Sequence, residues 1–326
     1  MKICIYGAGA IGGYLGAGLS MAGEDVTLIA RGPHLAAMKA NGLKLLSGGE
    51  EHVCHPACTD DPAEAGPQDV VIIGLKAHSL PKIAPTVAPL LHDDTMIVTA
   101  QNGIPYWYFY KEGGKYDGTR ISSVDPDGSV WKHMDPARAI GCVVYPACDI
   151  IEPGVIRHVK GNRFQIGEPD GSRSDRIREL SKVMMNAGFK SPPRTRIRDD
   201  IWVKLWGNLS FNPISVLTHA TLDILASDPN TVPVIREIMV ESQTVATELG
   251  IKFPVDVDTR ITWGGDVGAH KTSMLQDLEA GRPMEIDAIV GAVSELGRLT
   301  GIATPTIDRI LGLVRQRARI AGCYDG

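Results

Sequence analysis

The sequence lacks the features that mark several protein classes. Its 6 cysteines in 326 residues do not form a disulfide framework, which favours reduced thiols in a cytoplasmic protein. Positive charge is not in excess: the net charge of −5 argues against a nucleic-acid partner. No apolar run approaches the length of a membrane span. The first predicted strand begins almost at residue 1, which leaves no room for a signal peptide.

One cluster of zinc-type side chains is present, formed by His52, Cys54, His55 and Cys58. Its spacing matches neither paired C-x-x-C units nor a C-x-x-C with a distant histidine pair, which are the usual zinc patterns. The cluster also falls where the chain is expected to form a strand and a loop. We therefore predict no metal site.

The most informative segment follows the first apolar strand and precedes a helix rich in small residues. It consists of Gly7, Ala8, Gly9, Ala10, Ile11 and Gly12. In this context glycines allow a tight turn, a close approach of backbone to a pyrophosphate, and close packing of helix on strand. The N-terminus of the helix offers amide groups to the phosphates. These six residues are predicted to bind a dinucleotide; the alternative is a glycine-rich strand end without a ligand.

Strands and helices alternate along the first part of the chain. Apolar runs such as 69–75 and 95–100 are typical of parallel strands covered on both faces. A proline-punctuated helix is expected up to about Leu91, and a short strand near Thr195 would close the domain. Beyond Arg196 the pattern is helical. We predict an α/β protein: a Rossmann-type, doubly wound sheet in residues 1–195 and an all-helical domain in residues 196–326.

The second strand ends at Arg31, where an NAD enzyme usually carries an acidic residue for the ribose hydroxyl. A guanidinium suits a 2′-phosphate in charge and geometry, which favours NADP(H). Lys76 follows another strand at the same edge and could add positive charge there. Either residue could also be an ordinary exposed side chain.

The segment from Asp199 to Pro213, read as a helix, carries one polar stripe on an otherwise apolar surface. Lys204, Asn208 and Asn212 recur at four-residue spacing, which places them on one face. A buried helix needs a wet or ligand-filled cleft beside such a stripe, because an ammonium in apolar surroundings is costly. The alternative is that Lys204 pairs with Asp200 on a solvated edge.

These features together resemble the ketopantoate reductase (2-dehydropantoate 2-reductase) family. The resemblance spans almost the whole chain, and its motifs occur in the family's order. It rests on the glycine motif, Arg31, Leu75–Lys76, Gln101–Gly103, Lys204, Asn208, Asn212–Pro213, Ser273–Asp277 and Glu285–Asp287. It implies a fold like that of 6-phosphogluconate dehydrogenase and NADPH-dependent reduction of ketopantoate to pantoate, a step toward pantothenate and coenzyme A.

The resemblance also implies individual roles. Lys204 would be the general acid and Glu285 would contact a substrate hydroxyl; Asn208, Asn212 and Ser273 would hold the substrate. Asn102 would lie between the cofactor and the lysine. The chemistry agrees, because hydride transfer to a ketone builds alkoxide charge that an ammonium stabilises and neutralises.

Two of these roles have structural alternatives. Glu285 follows Pro283 closely, and an acidic residue in the first turn of a helix is stabilised by the helix dipole. Ser273 could be an ordinary helix serine.

The region from Pro105 to Ala139 departs from the family pattern. It begins with the aromatic run Tyr106–Tyr110 and shows no clear period. These rings could wall a pocket for a substrate bulkier than ketopantoate, or they could pack the loop onto the domain. A relative that reduces another 2-keto or 3-hydroxy acid is thus a second hypothesis, and a non-catalytic NADP sensor is a third. A homodimer is compatible with the apolar helical domain.

Overall fold

The computed structural model describes residues 1–324, which divide into two compact units. The first unit comprises residues 1–101, 105–120 and 127–197, and the second comprises residues 102–104, 121–126 and 198 onward. No helix in the described part of the chain combines the length and apolar character needed to cross a bilayer.

The first unit contains eleven strands and six α-helices. The strands are β1 Lys2–Tyr6, β2 Asp25–Ile29, β3 Leu43–Ser47, β4 Glu50–Cys54, β5 Ala57–Thr59, β6 Val70–Ile73, β7 Met96–Thr99, β8 Ala139–Val144, β9 Ala147–Glu152, β10 Val155–Lys160 and β11 Phe164–Gly167. The helices are α1 Ala10–Met21, α2 Gly32–Asn41, α3 Pro62–Ala65, α4 Leu80–Ile83, α5 Ser129–His133 and α6 Asp175–Asn186.

Seven strands form one sheet in the order β11-β8-β7-β6-β1-β2-β5. All neighbours are parallel except β8 and β11, which are antiparallel. The chain runs outward from β1 through β2 to β5 and then returns to β6 on the other side of β1. Ligands of doubly wound sheets bind at the carboxyl ends of the strands where the order reverses, which here is the end of β1. The predicted α/β fold class is confirmed.

The remaining strands form a second sheet, β4-β3-β10-β9, that the sequence did not predict. Helix α1 contacts strands of both sheets and is therefore buried on most sides. Its small residues are required by this position: a Cβ on Gly13 would meet the side chain of Ile156, and one on Gly16 would meet Leu28. The sequence pattern indicated most of the strands, but neither β9 nor the division of the strands between two sheets.

Two predicted elements were wrong. The helix expected up to Leu91 is broken into α4 and three 3₁₀ segments, Ala77–Ser79, Ala84–Thr86 and Ala88–Leu90. Prolines 81, 85 and 89 explain the breaks, since each lacks the N–H that a continuing helix needs. In place of a strand near Thr195, isolated bridges join Arg163 to Lys190 and Ile166 to Pro193.

The second unit is helical, with one π-helical segment, Asp287–Gly291. Its α-helices are α7 Ile197–Thr218, α8 Leu222–Leu225, α9 Thr231–Glu248, α10 Val257–Gly265, α11 Ser273–Glu279, α12 Ala292–Thr300 and α13 Pro305–Ile320. The first residue of α7, Ile197, is grouped with the first unit. Trp202 and Trp206 of α7 are fully buried, and the Trp206 indole N–H donates to the carbonyl of Met239 on α9. Burial of these rings fixes the rotation of α7 and hence the direction of its polar stripe.

Candidate active site

The glycine-rich segment forms a tight turn between β1 and α1. Gly7 has a positive φ of 99°, which favours glycine, and the N–H groups of Gly7 and Ala8 donate to the carbonyl of Ile29 at 3.0 and 3.1 Å. A Cβ on Gly12 would overlap the carbonyl oxygen of Gly7, so that α1 can pack this close to the turn only with glycine there.

Gly9 has a different environment. A Cβ on Gly9 would meet no atom within 4 Å, so the space in front of this residue is open. Gly9 precedes α1, whose first turn contains Ala10 and Ile11. The amides of a first helical turn have no acceptor within the helix. Open space before such amides fits the pyrophosphate of a dinucleotide.

Arg31 and Lys76 lie after the two strands that flank β1. Arg31 is exposed and precedes α2, two residues beyond the end of β2. Lys76 is partly buried and follows β6 by three residues. Both residues are therefore at the carboxyl edge of the sheet, one on each side of the glycine-rich turn, as the sequence predicted.

In the second unit, a chain of hydrogen bonds joins three of the predicted residues. The Lys204 ammonium donates to Oδ1 of Asn102 at 2.6 Å, and Nδ2 of Asn102 donates to Oε2 of Glu285 at 3.1 Å. Lys204 is partly buried on α7, and Glu285 is 8% exposed just before the π-helical segment. The Asn102 amide thereby separates a cation from an anion and contacts both.

Gly103 explains how Asn102 reaches this position. Its φ is +90°, and a Cβ on it would overlap the carbonyl oxygen of Ala288 in the π-helical segment. The same carbonyl accepts a hydrogen bond from the N–H of Ile104 at 2.9 Å. Residues 102–104 therefore lie directly against the segment that follows Glu285.

The Glu285 segment is also held from the C-terminal side, which the sequence analysis missed. Asp287 accepts hydrogen bonds from Arg315 at 2.5 Å and from the Tyr324 hydroxyl at 2.9 Å, and the N–H of Met284 donates to the carbonyl of Cys323. Burial and the nearby Asp287 charge raise the pKa of Tyr324, which keeps its hydroxyl a donor. Arg315 lies on α13 and Tyr324 follows that helix, so no local pattern linked them to Asp287.

Three predicted substrate residues are placed around α7 and α11. Asn208 is partly exposed, Asn212 is 4% exposed and Ser273 is exposed as the first residue of α11. Buried hydrogen bonds connect Asn212 to Thr272, the neighbour of Ser273: the Ser215 hydroxyl donates to the carbonyl of Asn212 at 2.7 Å and is hydrogen-bonded to the Thr272 hydroxyl at 2.6 Å. Thr272 in turn caps the N-terminus of α11.

Asn212 has one further property. Its Nδ2 atom is buried and has no hydrogen-bond partner within residues 1–324. A buried donor without a partner costs about 1–3 kcal/mol. A ligand or water that accepts this hydrogen bond would remove that cost.

The aromatic run packs the long loop onto the first unit. Trp107 and Phe109 are fully buried, and the Trp107 indole N–H donates to Oγ1 of Thr99 on β7. Tyr108 packs edge-on against Phe109 at 4.9 Å between ring centroids. Of the two interpretations, the structure supports packing for residues 106–109, because these buried rings do not line an open pocket; Tyr110 is partly exposed.

The cysteine–histidine cluster has the properties of a strand and a loop. The thiols of Cys54 and Cys58 donate to backbone carbonyls, and burial raises the pKa of Cys58 to about 11. His52 is near Glu50 on exposed β4. No group of three or more metal-ligating side chains is assembled anywhere in the described chain.

Comparisons with known proteins give a consistent result. Residues 3–107 match the family described as "Ketopantoate reductase PanE/ApbA", and residues 196–318 match "Ketopantoate reductase PanE/ApbA C terminal". A 2-dehydropantoate 2-reductase of Mesorhizobium japonicum is 54% identical, covering 99% of this chain and 100% of the relative. One from Pyrococcus horikoshii is 28% identical, covering 99% of each chain.

A solved structure shows the same fold over the whole chain. The crystal structure of a candidate ketopantoate reductase from Ralstonia solanacearum MolK2 matches with a TM-score of 0.95 and 41% identity, covering 99% of each chain. The two family matches lie one in each unit for the most part, and the structural match covers nearly the whole chain. This chain belongs to the ketopantoate reductase family, an oxidoreductase family that uses NADPH.

Proposed function

We propose that this protein reduces 2-dehydropantoate to pantoate with NADPH. The observation that carries the proposal is the hydrogen-bonded chain from Lys204 through Asn102 to Glu285, which provides a proton donor beside a fixed carboxylate. The full-length relative at 54% identity supports the same substrate.

The cofactor site is proposed to lie at the turn after β1. When bound, NADPH supplies the hydride that reduces the keto carbon. The open space before Gly9 and the amides of Ala10 and Ile11 would accept the pyrophosphate. Arg31 would pair with the 2′-phosphate, and Lys76 would add positive charge on the other side of the turn.

Lys204 is proposed to donate the proton. The carbonyl oxygen becomes an alkoxide as the keto carbon is reduced, and a nearby ammonium both stabilises this charge and protonates the oxygen. The amide oxygen of Asn102 accepts a hydrogen bond from the ammonium and so fixes its position. Because the other end of this amide is occupied by Glu285, Asn102 cannot easily rotate. As the resemblance implies, Asn102 is proposed to lie between the bound cofactor and Lys204.

Glu285 and the polar stripe are proposed to position the substrate. The Glu285 carboxylate would accept a hydrogen bond from the substrate hydroxyl. Asn208, Asn212 and Ser273 would bind the remaining polar groups, including the carboxylate. The unpartnered amide of Asn212 supports this role, since a substrate oxygen would satisfy it.

The other hypotheses have less support. The aromatic run favoured a bulkier substrate, but burial of Trp107 and Phe109 removes that observation. A non-catalytic sensor would need only the cofactor-binding residues, whereas this chain also forms the hydrogen bonds that join Lys204, Asn102 and Glu285. A homodimer and a cytoplasmic location stay predictions from the sequence.

The direct test is oxidation of NADPH at 340 nm with ketopantoate, beside a panel of bulkier 2-keto acids. We expect kcat/KM of about 10⁴ M⁻¹s⁻¹ or more for ketopantoate and lower values for the panel. A faster bulky substrate would contradict the proposal.

In Arg31→Ala, KM for NADPH should rise while KM for NADH stays the same. An equal change for both cofactors would remove the 2′-phosphate role.

A further inference from the structure

We infer that His34 is a positioning residue for the cofactor: it fixes the orientation of the peptide that presents the Gly9 amide to the pyrophosphate. The inference rests on the proposed binding of NADPH at the glycine-rich turn. His34 lies on α2, three residues after Arg31. Its ring bonds two backbone groups that belong to different parts of the first unit, the turn after β1 and the β9–β10 connection.

The hydrogen bonds of the His34 ring define which of its nitrogens carries the proton. The N–H of Gly154 approaches Nδ1 of His34 at 2.9 Å, and Nε2 lies 2.8 Å from the carbonyl oxygen of Ala8. A backbone N–H can only donate, so Nδ1 is the acceptor and carries no proton. Nε2 then carries the proton and donates it to Ala8. Neutral His34 with its proton on Nε2 satisfies both partners.

Gly154 gives the ring a fixed support. Its carbonyl accepts from the N–H of Lys44 on β3 at 2.9 Å, so both of its backbone groups are engaged. Its φ of +82° brings the chain against α2, where a Cβ would contact Ala37. The second sheet therefore anchors His34 from one side while the ring holds the turn on the other.

The contact with Ala8 determines where the next amide points. In a trans peptide the C=O of one residue and the N–H of the following residue point in opposite directions. With the Ala8 carbonyl held by His34, the N–H of Gly9 points away from the ring. The N–H of Ala8 is held independently by the carbonyl of Ile29. The turn is thus fixed on two sides, and Gly9 faces open space.

This arrangement gives α2 two contributions to cofactor binding. Arg31 at its N-terminus would contact the 2′-phosphate, while His34 one turn later orients the pyrophosphate-binding peptide. A turn that is already ordered loses less conformational entropy when the ligand binds, which raises affinity. The expected consequence of losing His34 is weaker NADPH binding with little change in kcat at saturation.

Three substitutions separate the two contacts. The amide of Gln can occupy the Nε2 position and donate to Ala8, the side-chain oxygen of Asn can occupy the Nδ1 position and accept from Gly154, and Leu can do neither. Kd for NADPH is measured by fluorescence titration of the full chain, with kcat for ketopantoate and the melting temperature alongside. His52→Leu, on an exposed strand of the same unit, is the matched control.

We expect His34→Leu and His34→Asn, which both lose the partly buried hydrogen bond to Ala8, to raise Kd for NADPH about tenfold, as for the loss of one hydrogen bond. His34→Gln should restore most of the affinity, and kcat at saturation should stay near that of the unaltered protein. An unchanged Kd in His34→Leu would overturn the inference. The inference would also be overturned if His34→Asn kept its affinity for NADPH while His34→Gln lost it. Equal losses of affinity in all three variants, together with lower melting temperatures, would overturn it as well. Failure of the unaltered protein to bind NADPH would instead overturn the proposed function.

Discussion

The turn after β1 and the Lys204–Asn102–Glu285 chain present polar groups to a ligand in different ways. The turn presents backbone amides. Gly12 has no Cβ and can therefore lie against the Gly7 carbonyl, and Gly9 leaves the space before the helix open. The chain in the second unit uses side chains, each held by the next. Substitutions that add atoms to the glycine-rich turn should therefore impair its function. In the Lys204–Asn102–Glu285 chain, substitutions that remove side-chain groups should do so.

This difference gives separate expectations for binding and for chemistry. Changes at the turn should affect the affinity for NADPH and leave kcat at saturation alone. Substitutions of Lys204, Asn102 or Glu285 should lower kcat and leave the affinity for NADPH unchanged. The following variants test whether the two regions can be separated in this way.

The largest effect is expected from Lys204→Ala. Loss of the proton donor should lower kcat about 10³-fold, while Kd for NADPH stays the same because the turn is untouched. Steady-state kinetics with ketopantoate and fluorescence titration of NADPH measure the two quantities. Lys252→Ala, an exposed lysine of the same unit, is the control. Unchanged kcat in Lys204→Ala would remove this residue as the acid.

Gly103→Ala should have the next largest effect, although it removes no functional group. The new methyl would overlap the carbonyl of Ala288 and displace Asn102. A displacement of about 1 Å can cost about 10²-fold in rate, so kcat should fall by that order. Gly113→Ala also has a positive φ but open space around it, so it controls for backbone strain alone. Equal kcat values in the two variants would contradict the packing explanation.

Two glycines of the turn should behave differently when replaced by alanine. Gly12→Ala overlaps the Gly7 carbonyl and should lower the free energy of unfolding by about 1–3 kcal/mol. Gly9→Ala should leave the melting temperature unchanged, since its φ of −67° suits alanine. It should still raise Kd for NADPH about tenfold, or 1.4 kcal/mol, because the methyl occupies the phosphate space. Undiminished NADPH affinity in Gly9→Ala would mean that the pyrophosphate does not approach this residue.

The smallest functional effect is expected from Trp107→Phe. The variant loses the hydrogen bond to Thr99 and some buried volume, so the free energy of unfolding should fall by about 1–3 kcal/mol. The ratio of kcat/KM between ketopantoate and a bulkier 2-keto acid should not change, because the ring is fully buried. A shift of this ratio toward the bulkier acid would return the aromatic run to the substrate pocket.

Much of the fold could be predicted from the sequence because its signals are local. The glycine-rich turn lies between a strand and a helix, and the apolar runs identify buried parallel strands. The second sheet could not be predicted, since the exposed strands β4 and β9 carry weak patterns and pair with distant partners. The proline-punctuated helix expected up to Leu91 is divided into short segments, because each of its three prolines lacks a backbone N–H.

The candidate site was predictable where residues share one element and less so elsewhere. Lys204, Asn208 and Asn212 stand on one helix, so spacing alone aligns them. Asn102 and Glu285 are far from Lys204 in sequence. The resemblance to the family implied that Asn102 lies beside Lys204, but not that Asn102 donates a hydrogen bond to Glu285. His34, Asp287 and Tyr324 had no comparable signal, because their importance comes from hydrogen bonds formed only in the folded chain.

The most direct test of the central claim is a crystal structure of the protein with NADP⁺ and pantoate. If Lys204 is the proton donor, its Nζ atom should lie within about 3.2 Å of the C2 hydroxyl oxygen of pantoate. The Glu285 carboxylate should contact the other hydroxyl, with the pyrophosphate at Gly9. Pantoate bound without contact to Lys204, or with Lys204 on its carboxylate alone, would contradict the account.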